Sequence, residues 1–257
     1  MSRLRGAVSG ISAVLLMLAA WEILVRALHI STHLLPPPSD VAQALIDHGD
    51  LFAQHGIPTA LETLAGFILA SFIGCAFGVM LFISPLAQAA TMPWILAAQI
   101  VPKIALAPLF VVWLGVGAPC RMVFAVFIAF FPVLIATVAG LSATDRGALQ
   151  LSRALGASPV QTMLKIRLPF AVPHLLAGLK TSATLALLGI VIGEFVTAQR
   201  GLGYLVMLAG SIDETALMLA AITGLLVVGA ALYALVLLAE AVFARWYGAP
   251  IIVGDFG

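Results

Sequence analysis

Five ionisable side chains stand in or beside long apolar runs: Glu22, Glu62, Lys103, Glu194 and Glu240. A charge near the centre of a bilayer costs roughly 2.5–3.5 kcal/mol on insertion scales, so each needs a partner, water or a solute path. Glu22, Glu62 and Glu240 lie close to run ends and can reach water. Lys103 and Glu194 lie deeper. Lys103 follows Pro102, with Pro93 and Pro108 close by. Prolines free backbone groups inside a helix, which is tolerated where the helix lines a cavity. We therefore expect Lys103 and Glu194 to line a translocation path. They would pair with each other there, or Lys103 would meet an anionic solute. The competing reading is a structural Lys–Glu pair inside the bundle.

Other chemistry finds no support. The chain has no GxxxxGK[ST] phosphate loop; in "GLKTS" at 178–182 the glycine and lysine are not adjacent. ATP hydrolysis is thus not expected in this chain. No HExxH or Ser–His–Asp pattern points to an enzyme. His29, His33, His48 and His55 fall in one segment, and the first two have i, i+4 spacing. No acidic or cysteine partner shares that spacing, so solvated loop residues are expected and no metal site. Cys75 and Cys120 sit in or beside apolar runs and read as free thiols. "GLGY", with Gly201, Gly203 and Tyr204, reads as the hinge of an outer gate or as a plain turn.

The elements that must position these residues follow from composition. Of 257 residues, 63% are hydrophobic and 9% charged, where a soluble domain carries about 25% charged residues. Mean hydropathy is +1.17. This is an all-α polytopic membrane protein. Every backbone polar group in lipid must be satisfied within its own segment, and the alternating pattern of a barrel is absent. About six transmembrane helices are predicted, near 8–28, 60–83, 89–114, 120–141, 176–198 and 216–243. The first continues too far to be a cleaved signal peptide.

Placing both termini in the cytoplasm puts Arg3, Arg5, Arg146, Arg153, Lys165, Arg167, Lys180 and Arg245 inside, against Arg26, Arg121 and Arg200 outside. Trp21, Trp94, Trp113 and Trp246 fall near span ends, as interfacial rings prefer. The chain divides into 1–59, a first helix and an external amphipathic segment; 60–246, a core containing an inner loop at 142–175; and a tail at 247–257. In the external segment Ser39 or Asp40 is expected to cap a short surface helix. Residues 200–215 are too short to span and should pack back. Gly66, Ala70, Gly74 and Gly78 form a small-residue stripe for close helix packing within the chain.

The inner loop is the most informative stretch. Asp145 can cap a helix that runs to Leu155, and Gly156 sits where a helix ends in a left-handed residue. Ser158 caps the next helix, Pro159 takes its first position and Gln161 completes a capping box. This second helix should stop before Pro169. Two capped helices form a rigid knob that presents Arg153, Lys165 and Arg167 to water. A topology-setting loop would need the charges but not the caps.

The same stretch carries a resemblance. Permeases of binding-protein-dependent ABC importers have an inner-loop pattern of EAA, three residues, Gly, nine residues, Ile-x-Leu-Pro. Here Gln150-Leu151-Ser152 is followed at the same spacing by Gly156 and then Ile166-Arg167-Leu168-Pro169. "PPPSDV", "VPKIALAPLFVVWLGVG", "FFPVLIATVAG" and "VIGEFVTAQRGLGYL" are similar as well, over about residues 20 to 246. The chain most resembles the branch serving nitrate, taurine and sulfonates. It departs at Gln150, which replaces the motif glutamate and loses a charge-assisted contact.

The resemblance implies a cytoplasmic coupling knob that docks in a groove of a separate ATPase through Gln150, Arg153, Gly156, Ala157, Ser158, Pro159, Ile166, Leu168 and Pro169. It implies two ATPase copies using ATP and Mg, an external substrate-binding protein, a second permease copy in a homodimer, and a bacterial inner membrane. No cofactor is expected on this chain, and no nucleic acid. The solute would be a small anion such as a sulfonate, taurine or nitrate. The alternatives are import of a pyrimidine or riboflavin-type precursor, an ion-gradient-driven secondary transporter, or an intramembrane enzyme.

Overall fold

The computed structural model describes residues 2–197 and 199–247, with side chains at 10 and from 12 to 245. The side chains of Arg3, Arg5 and Trp246, and the tail from 248 on, lie outside what is described. Eleven α-helices follow in order: α1 Ser2–Ala27, α2 Pro38–Asp47, α3 Gly49–Ile83, α4 Pro85–Ile100, α5 Ala107–Leu114, α6 Ala118–Ser142, α7 Arg146–Ala154, α8 Pro159–Thr162, α9 Leu168–Thr197, α10 Leu202–Ser211 and α11 Thr215–Tyr247. No strand occurs among the described residues. Four helical stretches are long and apolar enough to cross a membrane: Gly49–Ile83, Ala118–Ser142, Pro159–Thr197 and Thr215–Arg245. α1 covers the expected first span.

The expected third span is not one straight helix. α4 ends at Ile100, a 3₁₀ turn covers Lys103–Leu106, and the two halves meet at 90°. Pro102 explains the break: it pushes Val101 out of the helical region, to φ −62 and ψ 129. α5 then ends at Gly115 after eight residues.

The chain forms two compact units, one of residues up to Pro58 with Gln199–Leu226, the other of Thr59–Ala198 with the residues from Val227 on. The division read from sequence had put 199–226 with the core. In the first unit, Leu205 and Ala209 of α10 pack on Leu217 and Ala221 of α11 and on Leu51 and Phe52 of α3. α2 begins at Pro38 behind Pro37, and no side chain caps it. Neither expected cap, Ser39 or Asp40, serves, and Ser39 is engaged elsewhere. Its Oγ donates to Glu22 Oε1 at 3.0 Å and its N–H to Glu22 Oε2 at 3.1 Å.

In the second unit, α6 is the axis against which α3 and α9 pack. Both bring glycines to it. A Cβ on Gly74 would lie 2.8 Å from the Phe130 carbonyl oxygen, and one on Gly78 2.5 Å from Thr137 Cβ. On α9, a Cβ at Gly178 would lie 2.5 Å from Ala136 Cβ, and one at Gly189 2.6 Å from Ala125 Cα. Without a hydrophobic force between helices in lipid, such backbone approach supplies the packing energy. Gly189→Val should therefore separate α9 from α6 and cost roughly 1–3 kcal/mol or more. Thermal loss of the monodisperse elution peak in detergent reads this. An unchanged transition temperature would show that the contact does not hold the unit together.

Candidate functional site

The knob at 145–167 is built as its local sequence dictates. Asp145 Oδ2 accepts from the Ala148 N–H at 2.7 Å and opens α7. α7 closes with two reversed bonds, Gly156 N–H to the Arg153 carbonyl at 3.0 Å and Ala157 N–H to the Ser152 carbonyl at 2.9 Å. That pair is the Schellman arrangement, and Gly156 takes the left-handed φ of +70 that it requires. Ser158 Oγ accepts from the Gln161 N–H at 3.2 Å while Gln161 Oε1 accepts from the Ser158 N–H at 2.9 Å. Both halves of the capping box are thus made.

One expectation fails. The second helix does not stop before Pro169. α8 passes through a π turn at Met163–Arg167 and continues into α9, so the helix runs unbroken from Pro159 to Thr197. Proline has no N–H for the carbonyl one turn back, and a single wider turn absorbs that missing bond without ending the helix. The knob is therefore rigidly continuous with a long apolar helix.

The surface of the knob is more apolar than its charge pattern suggests. Gln150, Arg153, Ser158 and Pro159 are exposed, as are the large side chains of Leu151, Leu155, Val160 and Leu164, with Leu155 77% accessible. Ala157, Ile166, Leu168 and Pro169 are half-buried. A Cβ on Gly156 would meet nothing within 4 Å. Sequence reasoning missed the four apolar side chains. The signal was leucine and valine recurring in a polar insert whose helices are too short to bury them.

The charges among the apolar helices are arranged differently from the expectation. Arg121, expected outside, and Glu62, expected to reach water, form a buried bidentate pair. Nε donates to Oε2 at 2.8 Å and Nη2 to Oε1 at 2.6 Å. Arg121 is 4% accessible and Glu62 9%. The planar guanidinium matches a carboxylate at two points, which is why arginine suits this place. Glu194 is 2% accessible and accepts from Thr59 Oγ1 at 2.7 Å. Its neighbour Gly193 lies against the Arg121 stem, where a Cβ would be 2.8 Å from Arg121 Cγ. Glu22 pairs with Arg26 at 2.6 Å and Glu240 with Lys180 at 2.7 Å.

Lys103 is half-buried at the break between α4 and α5, with Nζ 5.1 Å from the centre of the Phe131 ring. Arg121 and Phe131 are ten residues apart on α6, so the Glu194 and Lys103 neighbourhoods are separated by about 15 Å along that helix. The two expected path residues are not brought together. Phe131 belongs to a chain of ring contacts through Phe127, Phe110 and Phe124, with centroids 5.1–5.7 Å apart. Beside it, a cavity of about 520 Å³ is walled by apolar side chains including Phe77, Ile95, Phe110 and Phe127.

In the other unit, Gly201 has φ +121 and opens α10. Its N–H donates to His55 Nδ1 at 3.0 Å, and the His55 ring stacks on Tyr204 at 5.8 Å. Gly203 is buried. "GLGY" is thus a helix start clasped by a histidine. His33 Nδ1 lies 3.2 Å from the Asp213 carbonyl oxygen. His55, half-buried within α3, is not the solvated loop residue expected, whereas His33 is exposed in its turn. No group of three potential metal ligands occurs among the described residues.

Comparison with known proteins follows the same lines. Residues 51–248 match the family model described as binding-protein-dependent transport system inner membrane component. The chain is 34% identical to a probable ABC transporter permease protein of Haemophilus influenzae, over 87% of this chain and 90% of that one. It is 33% identical to the riboflavin transport system permease protein RibX of Chloroflexus aurantiacus, over 90% and 87%. It is 28% identical to the taurine transport system permease protein TauC of Escherichia coli, over 82% and 80%. Among solved structures, an inward-facing conformation of the MetNI methionine ABC transporter superposes with a TM-score of 0.60, covering 77% of this chain and 97% of that one at 22% identity. That last likeness is one of fold.

Proposed function

The chain belongs to the family of inner membrane components of binding-protein-dependent transport systems, and from that premise we propose that it is the permease of an ATP-driven importer for a small organic or inorganic anion. Sulfonates, taurine and nitrate are the solutes of choice. Two copies would form the pathway in a bacterial inner membrane, with both termini in the cytoplasm. Two separate ATPase subunits would supply the energy with ATP and Mg, and an external binding protein would deliver solute. An ion-gradient-driven carrier or an intramembrane enzyme no longer fits the family.

The observation that carries this reading is the knob: two capped helices, continuous with α9, with an open apolar and polar face. A groove on an ATPase can grip such a face through Gln150, Leu151, Leu155 and Val160, while Ile166, Leu168 and Pro169 seat it on the bundle. Rigid continuity lets closure of the ATPases tilt α9, a two-state element biased from both ends.

Lys103 supports the anion. Among the described residues it has no carboxylate partner, and it lies at the 90° break between α4 and α5. A second reading has its own support. The permeases of riboflavin and of formylaminopyrimidine are 33% and 32% identical, against 28% for that of taurine. The phenylalanine cluster around Lys103 also suits a flat ring. Uptake into proteoliposomes holding the permease, its ATPase and its binding protein separates them. With taurine as solute, Lys103→Ala is expected to lower uptake about tenfold while ATPase association is kept. Uptake of formylaminopyrimidine but not of taurine or nitrate would select the second reading.

A further inference from the structure

A pocket of about 320 Å³ lies between the knob and the end of α3, lined by Phe82, Leu149, Arg153, Thr162, Met163 and Arg167 among others. Arg167 is held in place. Its guanidinium carbon sits 4.8 Å from the centre of the Phe82 ring, and Nη1 donates to the Leu141 carbonyl at 2.9 Å. That leaves the Nε and Nη2 protons for another acceptor. Arg153, on α7, is exposed and has no carboxylate partner among the described residues. The pocket thus presents two guanidinium groups, one hydroxyl and three apolar walls.

Its depth is set by its neighbours. Phe82 is the penultimate residue of α3 and Leu141 that of α6. Both helices are long and apolar enough to span. The pocket therefore stands where hydrocarbon gives way to headgroups. A ligand there needs an anionic head for the arginines and an apolar part for Phe82, Leu149 and Met163. A free inorganic anion meets the first need only. Basic pockets at the ends of membrane helices take anionic lipid headgroups.

We propose that Arg153 and Arg167 hold the phosphate of an anionic phospholipid in this pocket. The lipid would bridge α7 to the ends of α3 and α6 and so fix the stance of the knob on the bundle. The inference rests on the proposed function only in placing the lipid in the inner leaflet.

The test uses the full chain, purified in detergent and titrated with phosphatidylglycerol or phosphatidylcholine, with bound lipid read by native mass spectrometry. Arg153 is the residue to change: its side chain has no ion-pair partner among the described residues, and its place in the expected docking set is why ATPase association is read beside lipid retention. The wild type should retain phosphatidylglycerol over phosphatidylcholine. Arg153→Ala should weaken phosphatidylglycerol retention about fivefold and leave phosphatidylcholine unchanged, while Arg153→Lys restores most of it. Equal retention by wild type and Arg153→Ala would overturn the proposal. So would displacement of the lipid by millimolar inorganic phosphate, which would make a free anion the ligand. Loss of ATPase association in Arg153→Ala with lipid retention intact would also overturn it, by assigning the arginine to protein docking. The lipid readout needs no ATPase, so it fails or succeeds independently of the importer reading.

Discussion

Gly156→Val is expected to uncouple the permease from its ATPase while the chain still inserts and folds. The φ of +70 at Gly156 is what both reversed bonds at the end of α7 require. A side chain in that conformation costs roughly 1–2 kcal/mol, and more for a branched one. No neighbour lies within 4 Å of a Cβ there, so the strain is backbone strain and not a clash. The knob can relieve it by letting α8 leave α7 at another angle. Docking then has to restore the native turn, and an energy of that size weakens docking roughly tenfold. ATPase association and solute uptake in proteoliposomes should both fall by about that factor, with normal elution of the chain. Gly156→Asn separates the causes, because asparagine visits the left-handed region. It should keep most of the coupling if backbone geometry is what matters. Equal loss in both variants would show instead that the partner tolerates no side chain at this point.

Arg121→Ala should have the largest effect on stability. It leaves the Glu62 carboxylate buried without its bidentate partner, a change that typically costs 3–5 kcal/mol. It also removes the stem that lies against Gly193, beside Glu194. Much of that cost belongs to the orphaned charge and not to the pair itself. The double variant Arg121→Met with Glu62→Leu should therefore recover most of the lost stability. Thermal unfolding in detergent, followed by size exclusion, reads both. If Arg121→Ala melts with the wild type, the pair contributes nothing and the buried geometry has no energetic consequence. If the double variant is stable but does not transport, the pair serves the pathway.

The two predictions mark what was legible in the sequence. The knob could be read residue by residue, because caps are local. Asp145, Gly156, Ser158 and Gln161 act on partners at most three residues away in the chain, apart from the reversed bond of Ala157. The helical class followed from hydropathy in the same way. Pairings across the chain did not. Glu62 and Arg121 are 59 residues apart, and nothing in either segment names the other. Helix ends were misjudged where a second force competed. Ser39 gave up its capping role to the Glu22 carboxylate. The proline at 169 was absorbed by a π turn. Pro102 was read correctly as a disturbance, but the size of the bend depended on packing that periodicity does not report. The apolar tip of the knob was not legible, because exposure of Leu151, Leu155, Val160 and Leu164 depends on how short helices pack and not on local sequence alone.

Affinity purification of the tagged chain from its native membrane, with mass spectrometry of what accompanies it, reads the coupling itself. An ABC ATPase subunit should accompany the wild type at about one copy per permease and be lost with Gly156→Val. A wild-type sample that holds the intact permease, transports its solute and contains no ATPase would overturn the importer reading, and the knob would then be a surface loop that sets topology.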